Sequence, residues 1–315
     1  MVGNARGGIA FVFPGQASQR AGMAAELLER EVVAREVFAR AGEVLGLDLA
    51  AVCTTGNDEL LNRTDITQPA LLTTCVAWYE VVRDRGITPT MAAGHSLGEF
   101  CAWVAAGAVE FEPCLRLVRR RGELMEEAAT RRPGGMLAVI GLAEDDVAAI
   151  CEKATGEGVI VAANFNAPGQ VVVSGEPAAL DKAAELVKAA RGRAIPLRVS
   201  GAFHSPLMDD AAHEFSRLVA ALPVQAPQFP VFVNVTADAV TDSESVRGAM
   251  SAQMISPVRW TTSIHRMAAQ GAPLFAEIGP GSVLTKLIQR ISADARCLSV
   301  GSADELDTFL QEVTR

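Results

Sequence analysis

No apolar run in the 315-residue sequence approaches the roughly 18 residues needed to cross a membrane. There is no internal repeat and no low-complexity segment, which sets aside solenoids and disordered tails. The six cysteines (Cys53, Cys75, Cys101, Cys114, Cys151, Cys297) form no Cys-x-x-Cys pair and no His/Cys spacing suited to a metal. Most lie in apolar or helical surroundings, so they are expected as buried thiols of a reducing cytoplasm, without disulfides and without a metal site. Positive charge is not in surplus: 28 Lys and Arg stand against 37 Asp and Glu, a net charge of −9, which excludes a general nucleic-acid binder. Arg6 is followed only by the short run "GGIAFVF", too short for a signal-peptide core and better read as a buried first strand. Only four histidines are present, so each can be tested as a base.

What is there is an alternating α/β pattern. "IAFVFPGQ" (9–16) is an all-apolar strand running into a Pro-Gly turn, as for a strand covered on both faces. Helical periods follow in "AAELLEREVVAREVFARAGEVLG". "QPALLTTCVAWYEVVRDRG" (68–86) reads as a long helix with Pro69 near its start and Gly86 just past its end. "TPTMAAGHS" is a short strand, and "LGEFCAWVAAGAV" an almost wholly apolar, hence buried, helix. Between Pro133 and Val199 the order is β-α-β-β-α-β, with two strands about an Asn-Ala-Pro-Gly turn, which is the ferredoxin-like split unit. The expected fold is therefore α/β: an α/β-hydrolase-like subdomain with a mainly parallel sheet (1–132 and 200–315), interrupted by an inserted ferredoxin-like small subdomain (133–199). A helix over 206–222, a strand in "FPVFVNV", a helix near 260–270, a strand in "PLFAEIG" and a helix in "SVLTKLIQRI" resume the larger pattern.

Within "AGHSLGEF" (93–100) a serine stands between two glycines, Gly94-x-Ser96-x-Gly98. The pattern fits a nucleophile elbow, a sharp strand-to-helix turn whose glycines let strand and helix approach. It also fits a surface turn with a serine capping the next helix. A serine hydroxyl needs a base. His95 is adjacent to Ser96 and points away from it. His213 falls off the apolar stripe Leu207, Met208, Ala211, Ala212, Phe215, Leu218, Val219, and His265 falls off Trp260, Ile264, Met267, Ala268; both read as surface residues. His204, in "SGAFHSPLMDD", sits in a loop at the end of a strand, where α/β sites collect. Elimination leaves His204 as the base. Asp209 and Asp210 read better as first-turn helix charges than as a triad acid. With no acid standing out, a backbone carbonyl or an amide side chain is left to hold the ring, which makes a Ser–His dyad.

"FPGQASQ", "TQPALL", "GHSLGE", "RRRGELM", "NFNAPGQVVVSG", "GAFHSPLM", "QMISPVRW" and "EIGPGSVLTKL" occur in one order along nearly the whole chain. In these motifs the sequence resembles the malonyl-CoA:acyl carrier protein transacylases and the related acyltransferases of polyketide synthases. The resemblance implies the same two-part fold. It implies Ser96 as the acylated nucleophile and His204 as base and acid. The backbone N–H groups of Leu97 and Gln16 become the oxyanion donors, and the backbone carbonyl of Gln253 orients the histidine. Asn164 and Asn166 line the cleft, and Arg121 clamps the malonyl carboxylate. Of the arginine run, Arg119 and Arg120 are expected on a solvated face, since successive helical residues differ by about 100°. Phe203 is expected to select against a methylmalonyl group. One departure is Ala17, where the family has glycine; a positive φ there would cost alanine roughly 1 kcal/mol or more.

The implied reaction is ping-pong transfer of malonyl from CoA, through a malonyl-serine, to the phosphopantetheine thiol of an acyl carrier protein of fatty-acid or polyketide synthesis. Malonyl-CoA is a substrate and no cofactor is implied. A cytoplasmic monomer acting in trans is expected, with no nucleic-acid or membrane partner. Arg116, Arg119, Arg120, Arg131 and Arg132 are the candidate docking patch for an acidic carrier protein. The rivals are a serine esterase or thioesterase, a trans-acting acyltransferase with another acyl-CoA preference, and a non-catalytic docking module. A patatin-like lipase would need an Asp-Gly motif, and the chain contains no Asp-Gly.

Overall fold

The computed structural model describes residues 8–314; Arg6 lies outside them. Among the described residues ten strands occur: β1 (Ile9–Phe13), β2 (Met91–Gly94), β3 (Gly135–Ile140), β4 (Ile160–Ala167), β5 (Gln170–Gly175), β6 (Arg193–Pro196), β7 (Val231–Phe232), β8 (Ala239–Val240), β9 (Leu274–Ile278) and β10 (Arg296–Val300). They form two sheets. The larger has the order β10-β9-β1-β2-β7-β8 and is parallel except for the edge pair β7–β8. The smaller has the order β4-β5-β3-β6 and is antiparallel throughout, the arrangement of a ferredoxin-like unit.

The all-apolar first strand explains the larger sheet. Phe11 and Phe13 enter one core cluster, with helices Thr64–Asp84, Gly98–Ala105 and Phe111–Arg131. Ala10 and Val12 enter the opposite cluster, with helices Trp260–Ala269 and Val283–Ile291. Alternate side chains therefore go to opposite faces, and both faces are covered. In the smaller sheet, Leu137, Val139, Val171 and Val173 pack against Val147, Ile150, Ala179, Ala183 and Val187 of helices Glu144–Ala154 and Pro177–Ala189.

Some elements differ from expectation. The helix expected from residue 68 begins at Thr64, which places Pro69 inside it. Proline has no N–H for the carbonyl four residues back. The Asp65 carbonyl so freed accepts from Arg119 Nη1 at 2.8 Å, a side-chain donor in place of the lost backbone bond. The strand read in "FPVFVNV" shortens to two residues, and helices Ser243–Ala252 and Ala303–Val313 and strand β10 add to the pattern. Leu218 is exposed rather than part of the apolar stripe. Cys297 is partly exposed and the other five thiols are buried, with burial pushing Cys53 up to about 12. No helix among the described residues is long and apolar enough to cross a membrane.

Candidate active site

β2 ends at Gly94 and the next helix begins at Gly98, leaving three residues for the turn. Ser96 sits at φ 51°, a left-handed conformation that a non-glycine residue adopts at a cost. The two glycines have a steric reason. A Cβ on Gly94 would lie 1.9 Å from the Gly98 carbonyl carbon, and one on Gly98 would lie 2.0 Å from the Phe13 oxygen. Strand, turn and helix approach too closely for any side chain there. The elbow is tied from outside by Asn234, just past β7. Its Oδ1 accepts from the Ser96 N–H at 2.7 Å and its Nδ2 donates to the Gly94 carbonyl at 2.6 Å. The Ser96 N–H is thereby occupied, and Leu97, next in the chain at the helix start, is left as the elbow's backbone donor toward a reacting group.

His204 also has a positive φ, 58°. Its Nε2 lies 2.8 Å from Ser96 Oγ. Its Nδ1 lies 3.1 Å from the Gln253 carbonyl and 3.0 Å from the Ser256 carbonyl. Carbonyl oxygens only accept, so Nδ1 carries the proton and Nε2 is free to accept from serine. Burial pushes His204 down to about 3, with repulsion from Arg121 and His95 adding to it, so the imidazole is neutral near pH 7 and its Nε2 is unprotonated. The carbonyls fix the tautomer, the task that an acid performs in a triad. The strand before His204, β6, belongs to the small antiparallel sheet, so its position is not that of a parallel-strand end; a loop crossing back from the smaller subdomain delivers it.

Arg121 is 1% exposed. Its Nη2 donates to Gln253 Oε1 at 3.0 Å and lies 3.4 Å from Ser96 Oγ. Its Nη1 donates to Gln68 Oε1 at 2.8 Å, and its Nε has no partner. No carboxylate of the described residues lies within ion-pair distance of it. Burial pulls it down to about 10, with Glu99 opposing, so the guanidinium stays cationic. Its neighbours differ. Arg119 pairs with Asp65 (3.2 Å) and Glu123 (2.8 Å), and Arg120 with Glu123 (3.3 Å), Glu127 (2.7 Å) and Glu214 (2.8 Å). Both are half-buried rather than on a solvated face. Arg131 pairs with Glu127 at 3.1 Å. Of the five arginines of the expected docking patch, three are thus paired with the chain's own carboxylates, which weakens the field the patch presents.

A cleft of about 450 Å³ opens over Ser96 and His204, between the two subdomains. Gln16, Asn164, Asn166 and Phe203 line it, with Met125, Leu197 and Val283. Asn166 is engaged by His95 Nε2 at 2.8 Å, and Asn164 pairs with Val258 through backbone. His95 is thus held away from the serine, while His213 and His265 are exposed. Ala17, beside Gln16, has φ 82°, and its N–H is held by Gln19 Oε1 at 2.7 Å. No His/Cys/Asp/Glu cluster among the described residues could hold a metal. The nine expected site residues therefore surround one elbow. Gln68, Glu99, Asn234 and Ser256 also belong here and were not singled out from the sequence. A signal existed for Glu99, the lone carboxylate of an otherwise apolar helix. For Asn234 none existed, because its partner Ser96 is 138 residues away.

Residues 10–311 match the model of the acyl transferase domain family. A curated relative, the malonyl CoA-acyl carrier protein transacylase of Bacillus subtilis (strain 168), is 41% identical over 305 residues, covering 96% of each chain. An acyl carrier protein S-malonyltransferase from Vibrio cholerae superposes with TM-score 0.92 at 43% identity, over 96% of this chain and 99% of that one. A type II PKS acyl-carrier protein in complex with its malonyl-transacylase gives TM-score 0.94 at 40% identity, over 97% and 99%.

Proposed function

The chain belongs to the acyl transferase domain family, and on that premise we propose that it moves a malonyl group from CoA to the phosphopantetheine thiol of an acyl carrier protein. The observation that carries the malonyl reading is Arg121: a buried cation whose Nη2 lies 3.4 Å from the nucleophile's Oγ, with no carboxylate of the described residues in ion-pair range. An acyl group bound to Ser96 and bearing its own carboxylate would give the guanidinium a direct ion-pair partner. An esterase acting on neutral esters would carry this buried charge for no return.

His204 Nε2 takes the Ser96 proton as Oγ attacks the thioester carbonyl. The N–H groups of Leu97 and Gln16 receive the developing oxyanion, two preorganised donors where charge appears. CoA leaves as the thiol with the proton from His204. The carrier thiol then gives its proton to His204 and attacks the malonyl-serine, so the two half-reactions mirror one another. Phe203, buried against the cleft, limits room at the α-carbon of the acyl group and disfavours a methyl branch. Nucleophile, base and cation all come from the chain, and the proposed reaction of the monomer draws on no cofactor. Mixing the protein with malonyl-CoA and weighing it intact tests the reading. A stable gain of one malonyl mass, transferred on adding holo carrier protein, is expected; rapid release of free malonate instead would make it a hydrolase.

A further inference from the structure

Glu99 is the buried acidic side chain of the elbow helix, three residues after Ser96, and the reaction above does not use it. It lies on helix Gly98–Ala105 and is fully buried. Its Oε2 accepts from the Asn234 N–H at 2.6 Å, while its Oε1 has no partner. The groups that act on it come from four directions: Arg121 from helix Phe111–Arg131, the Asn234 N–H from the turn after β7, Gln253 from the 253–255 turn, and Trp103 one turn along its own helix. Arg121 is the one charged group among them. His95 and His204, in the same chamber, are both held neutral by burial.

The geometry points to Glu99 as the reversible counter-charge of Arg121: ionised while the guanidinium stands alone, and protonated from solvent when a substrate carboxylate docks there. Malonyl binding is then coupled to the uptake of one proton. This rests on the malonyl reading above. Arg121 and an ionised Glu99 sum to zero. A second carboxylate would leave one net negative charge beside side chains that are themselves buried from water, and two like charges in such surroundings force a proton onto one of them. Glu99 is the one that yields. The substrate carboxylate can touch the guanidinium, whereas Glu99 acts on it from beyond ion-pair distance. Glu99 Oε1 is also free to carry the proton while Oε2 keeps its bond from Asn234. Burial already holds this carboxyl up at about 7, against the pull of Asn234, Gln253 and Arg121, so the exchange needs little driving near neutral pH.

The sign follows. Above about pH 7 Glu99 is ionised in the free protein and must bind a proton before malonyl can dock. The malonyl kcat/KM therefore falls toward about tenfold per pH unit on that limb. Acetyl-CoA brings no carboxylate and has no such limb. The test is the malonyl/acetyl ratio of Ser96 acylation rates, by quenched flow, across that range for wild type and Glu99→Gln. The glutamine keeps an acceptor for Asn234 and removes the charge. A ratio that falls with pH in wild type and is flat in Glu99→Gln supports the proposal. A flat wild-type ratio, or the same slope in the variant, overturns it. If the variant does not fold, infrared difference spectra of the wild-type protein decide, using isotopically labelled malonyl to shift the substrate's own bands. A new protonated-carboxyl band on malonylation that is missing on acetylation supports Glu99; no new band overturns it. Failure of wild type to acquire malonyl at any pH defeats the malonyl reading itself, a separate outcome.

Discussion

Inside the four-stranded sheet the core is Leu137, Val139, Val171 and Val173 against aliphatic helix faces, and its buried polar side chains are Ser174 and, where β4 borders the cleft, Asn164 and Asn166. At the end of the six-stranded sheet the buried side chains include Gln68, Glu99, Arg121, His204, Asn234 and Gln253. Three of the five described non-glycine residues with positive φ, Ala17, Ser96 and His204, are there too. The first region is stabilised by apolar burial and close packing. The second holds charge and backbone strain that only surrounding structure can maintain. A substitution in the first should change stability and leave chemistry alone; in the second, the reverse.

The largest effect should come from His204→Ala. Without a base the serine loses proton transfer, and acylation by malonyl-CoA should slow by about 10³-fold or more, read by intact mass against time. A near-normal rate would move the base to another histidine and dissolve the contrast. Arg121→Ala should come next. Truncating one partner of a buried charge pair costs about 2–5 kcal/mol, so malonyl kcat/KM should fall by roughly 30- to 4,000-fold. Acetyl transfer should fall far less. Equal loss for both acyl groups would make Arg121 a structural residue.

On the other side, Ile150→Ala in the small-sheet core should cost about 2–5 kcal/mol of stability, as for other large-to-small core changes. The unfolding midpoint should drop while kcat/KM at moderate temperature holds. A tenfold loss of activity in folded protein would show that the small subdomain governs the chemistry directly. The smallest effect belongs to Ala17→Gly. Relieving the 82° φ should stabilise the fold by up to about 1 kcal/mol, partly offset by glycine's freedom in the unfolded chain. A raised midpoint with unchanged acylation would place the strain outside the oxyanion turn's working geometry; a faster or slower rate would place it inside.

The alternation of strands and helices, the β-α-β-β-α-β insertion and the Gly-x-Ser-x-Gly turn are local patterns, because hydrophobic period and glycine placement act within a few residues. They were legible along the chain, and the ordered motifs added the roles proposed for Ser96, His204 and Arg121. The beginning of the 64–84 helix was not legible, since Pro69 argues for a start that Arg119, 54 residues away, makes unnecessary. The charge state of the arginine run was equally hidden. Arg119, Arg120 and Arg121 are identical as letters; only folding assigns carboxylates to the first two and amides to the third.

By itself the sequence determined which residue types stand at the elbow, in the loop at 204 and on the 111–131 helix, and so which groups are proposed as nucleophile, base and cation. The tertiary structure alone decided their state: which nitrogen of His204 carries the proton, that no carboxylate of the described residues lies within ion-pair distance of Arg121, and that Glu99 is buried. Tautomer and charge depend on partners 49 to 135 residues apart and on burial, and neither is written in any local stretch of chain.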